Sequence, residues 1–346
     1  MPLIHVNAGP DGPDLHDRPG GLPAHLPQVL TGDGPVIVMV HGFKYAPHHE
    51  SECPHAQILS LDPVRDCFKV VSWPRGLGFG RGAADEGLGI GFGWNARGTL
   101  RQAYAEAARA GEGLARLIAM IGRLAPGRPV HAVAHSLGAR VVLQALPHLQ
   151  AGAMGRLILL AGAEFRGRAA EALETPAGRA AEVINVTSRE NDLFDFLLER
   201  LIPAPARGNR SLGLALPSAD NVLNLQMDHP GTLAALRSNG FEIGAPVTRI
   251  CHWSPYTRPG ALAMYDCLLR GAAQLPLAQL RAALPDRPTP RWSRLFAASG
   301  ARPGAAGALA AGHAPPARGD AHPSSPAHSC VHADVTFALH TECDFD

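Results

Sequence analysis

The sequence predicts an α/β fold, a predominantly parallel sheet flanked by helices on both faces. Three observations lead there. Short apolar runs rich in Val and Ile recur along the chain, and helix-period segments separate them. The 346 residues, 46% of them hydrophobic, also suffice for one sizeable core.

The elements follow in chain order. Residues 1–34 are rich in Gly, Pro and Asp and read as an irregular or weakly stranded N-terminal lead-in. From residue 35 the apolar runs Pro35–Val40, Phe68–Trp73, Pro129–Ala134, Arg156–Ala161, Ala181–Val186 and Val247–Cys251 read as strands. Between them, Leu100, Tyr104, Ala107, Gly111, Leu114, Leu117, Ile118 and Ile121 recur every three or four residues, the spacing of one buried helix face. Ala139–Leu149 and Ala261–Leu269 show a similar pattern. Strands alternating with helices imply right-handed crossovers and a sheet covered on both sides. The domain is therefore expected over 35–284. The Pro-, Ala- and His-rich stretch 285–346 lacks apolar periodicity and reads as a flexible tail.

Bulk properties exclude several function classes. With 31 basic and 30 acidic residues there is no electrostatic footprint for nucleic acid or an anionic membrane. Only Lys44 and Lys69 are lysines; the other basic residues are arginines. The N-terminus shows no signal-peptide pattern, and no apolar run reaches the ~18–20 residues of a membrane span. Six scattered cysteines suit reduced thiols, so a cytoplasmic protein is expected.

Two tempting signals are set aside. Gly78, Gly80 and Ala83 fit a degenerate dinucleotide-binding spacing, but no helix follows at once. Gly76–Gly98 reads instead as a mobile loop near the cleft, with Phe79, Phe92 and Trp94 available to cover substrate. In the tail, His328, Cys330, His332, His340 and Cys343 have no compact metal-binding spacing. No cofactor and no metal are expected.

The chemistry-bearing stretch is A-H-S-L-G, Ala134–Gly138, where a β-branched run gives way to a helical pattern. A turn that sharp requires small residues on either side of Ser136 and lifts its hydroxyl above the strand end. The new helix directs its N-terminal amides at the same spot. From about Pro35 to Arg270 the chain resembles the α/β-hydrolase superfamily, through this nucleophile elbow and through His41-Gly42-Phe43 at an earlier strand end. The first elbow position carries alanine where the family has glycine.

The resemblance implies Ser136 as nucleophile and the backbone amides of Phe43 and Leu137 as the oxyanion hole. His41 is read as a structural residue of its turn. The superfamily order Ser, acid, His then implies Asp192 as the acid, with Glu190 and Asp195 as neighbouring alternatives. It implies His252 as the base, ahead of its rival His229, while Trp253, Tyr256 and Arg258 are available to shape the pocket. The expected activity is hydrolysis of a small-molecule ester or other acyl substrate through an acyl-enzyme, without a cofactor. The chain resembles bacterial members without an assigned substrate, so the ester is left open. An acyltransferase or thioesterase would use the same triad, and a catalytically silent binding protein would share the fold.

Overall fold

The computed structural model describes residues 3–272 and 275–296. Eight strands form one sheet in the order β2-β1-β4-β3-β5-β6-β7-β8. They are β1 (Leu3–Gly9), β2 (Gly12–Leu15), β3 (Val36–Val40), β4 (Leu88–Gly93), β5 (Val130–His135), β6 (Met154–Leu160), β7 (Glu182–Thr187) and β8 (Val222–Gln226). Every neighbouring pair is parallel except β1 with β2, which forms an antiparallel hairpin at the edge.

The pleat sends alternate residues into two separate cores. Val36, Val38 and Val40 face one, against α3 (Leu100–Leu124) and α4 (Leu137–Ala145). Ile37 and Met39 face the other, which also contains Tyr265, Leu268 and Leu269 of α10 (Ala261–Arg270). Burial on both faces explains why the central strands read as unbroken apolar runs. Helix α3 begins with a capping box in which Thr99 and Gln102 satisfy each other's backbone amides. Its Gly111 lies against α4, where an added Cβ would stand 2.6 Å from the Gln144 Cβ.

Five expectations are corrected. The lead-in is not irregular: β1, β2 and α1 (Leu22–Val29) occupy it, and β1 runs parallel to β4. Phe68–Trp73 is not a strand, because Ser72 caps a short helix, α2 (Trp73–Gly76), with Pro74 in its first turn. The glycine-rich stretch is not wholly a loop, since it contains β4. There Leu88, Ile90 and Phe92 enter one core, and the alternate glycines leave room on the other face for Phe79, Leu59 and His55. Phe79, Phe92 and Trp94 are consequently core residues, not a cover for substrate. Val247–Cys251 forms no strand, and Val247 is 91% exposed. The last strand is Val222–Gln226 instead.

The chain also stays with the domain beyond residue 284, its compact unit ending at Leu295. Thr289 pairs with Gln226, Arg291 pairs with Glu199, and the Trp292 amide donates to Asp192. Of the expected tail, residues 297–346 lie outside the described residues, as do its candidate metal ligands. Among the described residues no helix is long and apolar enough to cross a membrane.

Candidate active site

Ser136 occupies the single residue between β5 and α4, at φ 54° and ψ −123°. A non-glycine residue at positive φ costs of order 1–3 kcal/mol and persists only where its surroundings enforce it. Two close approaches enforce it here. A Cβ on Gly138 would lie 2.5 Å from the Val40 carbonyl oxygen, so only glycine lets α4 start against β3. A Cβ on Gly42 would lie 2.8 Å from the Ser136 Cβ. The β3 turn and the serine turn are therefore in direct contact.

The turn that carries Phe43 therefore packs against the serine, and Leu137 is the residue that follows it. Among the described residues, neither the Phe43 nor the Leu137 amide donates to a backbone carbonyl. His41 holds the first turn in place, as expected of a structural residue. Its Nδ1 donates to the Gly42 carbonyl, its Nε2 accepts the Trp94 amide, and its ring stacks on Trp94. Burial pushes its pKa down to about 4, so it stays neutral in this role.

Helix α4 is fixed from below by a buried ion pair. Arg140 contacts the Glu164 carboxylate, which also accepts the Tyr104 hydroxyl and the Phe165 amide. The Arg140 Nε donates to the Tyr104 carbonyl, and its guanidinium lies 3.7 Å from the Tyr104 ring centroid. One network thus joins α3, the serine helix and the loop after β6.

His252 comes from the long connection after β8 and lies beside the elbow. The residue before the serine, His135, donates from Nε2 to the His252 carbonyl at 3.0 Å, and the two rings are 4.5 Å apart. Burial, with His135 adjacent, holds His252 well below the ordinary histidine range. No hydrogen bond joins its ring to Ser136 Oγ among the described residues. His229 is elsewhere employed: its Nδ1 accepts the Gly231 and Thr232 amides and caps α8 (Pro230–Ser238).

The expected acid is corrected. His252 Nδ1 donates not to Asp192 but to Asn191 Oδ1, at 2.6 Å. Asp192 opens α7 (Asp192–Leu201), where it pairs with Arg189 and accepts the Trp292 amide at 2.6 Å. Consecutive residues at a helix start point in different directions, so only one of the two reaches the histidine. Glu190 is taken by Arg258, Thr248 and Ser188. Asp195, one turn into α7, hydrogen-bonds the Asn191 side chain, and burial pushes its pKa up to about 7.

Reading the sequence for a carboxylate passed over Asn191, although R-E-N-D offered it as a polar residue in the same loop. The structural part of His135 was missed too. Its signal was a histidine directly before the nucleophile, at a position buried by the sheet. Phe194 was also missed; its ring stacks on His252 at 4.6 Å. Among the described residues no group of three His, Cys, Asp or Glu is placed to hold a metal ion.

The sheet order, the strand–serine–helix turn and the glycine contacts around it now stand beside a family match. Residues 24–161 match the model of the family described as "Alpha/beta hydrolase of unknown function (DUF900)". The chain has the α/β-hydrolase fold. The resemblance drawn from the elbow and the His-Gly turn is therefore borne out, and the matched segment contains both. No curated protein matches the chain. The matched region runs through β3, β4, β5 and β6 and ends just beyond β6. His252 and its partner Asn191 lie outside the matched region, so their placement rests on the geometry alone.

Proposed function

We propose that this α/β-hydrolase is a serine hydrolase acting on carboxylic esters. The observation that carries the reading is the strained elbow, which lifts Ser136 next to the Leu137 amide and against the turn that carries the Phe43 amide, neither of which donates to a backbone carbonyl among the described residues. Ser136 Oγ attacks the ester carbonyl while His252 Nε2 takes its proton. The Phe43 and Leu137 amides donate to the oxygen that becomes negative, a contribution of about 3 kcal/mol for each such donor. Collapse of the tetrahedral intermediate expels the alcohol, which receives the proton from His252. Water, activated by the same imidazole, then releases the acid and restores Ser136.

Asn191 is a positioning residue in this scheme. By accepting from Nδ1 it selects the tautomer whose Nε2 lone pair is free to act as base. It does not neutralise the imidazolium as a carboxylate would. A base with a lowered pKa remains neutral through the physiological range, so deprotonation does not limit the first step. The test is hydrolysis of p-nitrophenyl acetate by the wild type and by Ser136→Ala, His252→Ala and His229→Ala. Loss of several orders of magnitude in the first two, with His229→Ala near normal, is expected. Near-normal turnover by a folded His252→Ala protein would remove His252 from the scheme.

A further inference from the structure

The base sits at one end of a chain of aromatic rings that the hydrolytic scheme does not use. Phe194 stacks on the His252 ring with 24° between their planes. Trp253 contacts Phe194 with centroids 6.0 Å apart, and Phe68 meets Trp253 edge-on at 5.8 Å. Phe68 is 57% exposed, in the segment that failed to become a strand. Single exposed apolar side chains are ordinary. Four rings in sequence, one of them the base, form a surface that water solvates poorly and a flat apolar group would cover.

A cation stands over this ledge. Lys69 Nζ lies 4.6 Å from the Trp253 ring centroid. Among the described residues Lys69 forms no ion pair with a carboxylate. A lysine held on an aromatic face and left without a counter-ion offers a place for an anion.

We propose that the ledge Phe68–Trp253–Phe194 is the subsite for an aromatic portion of the substrate, and that Lys69 selects substrates bearing a carboxylate there. The substrate class is then an aromatic ester with a negative charge. This rests on the reading of Ser136 and His252 as the catalytic pair, so the test separates the two.

Binding of benzoate and of neutral benzamide is followed by tryptophan fluorescence, and hydrolysis of 3-carboxyphenyl and 3-carbamoylphenyl acetate by product release. The charged member of each pair is expected to be favoured up to about fivefold at low salt, with Lys69→Met erasing the preference. Phe68→Ala is expected to weaken both ligands by about tenfold. Circular dichroism checks that each variant is folded. Equal binding of benzoate and benzamide, or a preference that survives Lys69→Met, overturns the subsite. Esters hydrolysed without any charge preference also count against it. Ligand binding as expected with no ester turnover supports the subsite and sinks the hydrolytic reading alone.

Discussion

At residue 191 an amide stands where an α/β-hydrolase was expected to place a carboxylate, and its consequences are measurable. Asn191→Ala removes the acceptor that fixes the His252 tautomer, so turnover should fall on the order of 10²–10⁴-fold. Asp192→Asn should cost far less, because Asp192 faces Arg189 and the Trp292 amide. A merely structural role for Asn191 predicts no change in pH dependence. Its positioning role predicts one. The wild-type profile should lose activity only as pH falls below a midpoint under 6.5, where the buried His252 finally protonates. Asn191→Asp should retain turnover and move that midpoint upward, since a carboxylate beside the imidazole favours its charged form. An unmoved midpoint in Asn191→Asp would contradict the role.

Asp195, behind Asn191, makes a stability prediction with a definite sign. Its folded pKa is raised to about 7 by burial, above the ordinary carboxyl value of 3.8. Between those two values the folded state holds a proton that the unfolded state has lost, so its contribution to stability declines as pH rises through that window. Up to about 4 kcal/mol is involved. Urea melts at pH 4.5 and pH 8 should show that Asp195→Asn reduces the decline seen in the wild type. A decline of the same size in both proteins would show that another group causes it. The candidate site was thus legible in its serine turn, in the His-Gly turn packed against it and in the placement of His252 beside them, where backbone constraints leave marks such as small residues flanking a serine. It was not legible in its orienting residue. Which of four consecutive polar side chains meets His252 depends on how α7 starts.

At the level of elements, the helix that follows the serine depends on a buried ion pair that no motif reveals. The buried Arg140–Glu164 pair anchors α4, and breaking it leaves a charge without its partner. Glu164→Ala should therefore cost about 3–5 kcal/mol in urea unfolding. Replacing the pair together, as Arg140→Met with Glu164→Leu, should cost much less, because no uncompensated charge remains. Equal losses in the single and double variants would deny the pair this role. The central strands and α3 were readable because burial on both faces, or on one helical stripe, imposes an apolar period. The edge was harder. In β4 glycine replaces every second apolar residue, and in β8 polar Asn224 and Gln226 interrupt the run. Val247–Cys251 has a strand-like composition but no neighbouring strand to pair with, and its side chains are left at the surface.

Across the whole molecule, the α/β class and its parallel sheet follow from the alternation of apolar runs and helical patterns. The ends do not, because their contacts are long-range and polar. Residues 285–295 have no hydrophobic period, yet Thr289, Arg291 and Trp292 bind the outer strand and α7. A chain ending at Leu284 should accordingly melt lower than one ending at Phe296, because Gln226, Glu199 and Asp192 lose their partners in that segment. Identical melting temperatures would return this segment to the status of an appendage. The central claim is that the strained turn presents Ser136 as a nucleophile. It is tested most directly by treating the folded protein with a fluorophosphonate and locating the adduct by peptide mass spectrometry. A single adduct on Ser136, absent from Ser136→Ala and strongly slowed in His252→Ala, is the predicted result; an unlabelled Ser136, or an adduct on another residue that persists in Ser136→Ala, would contradict it.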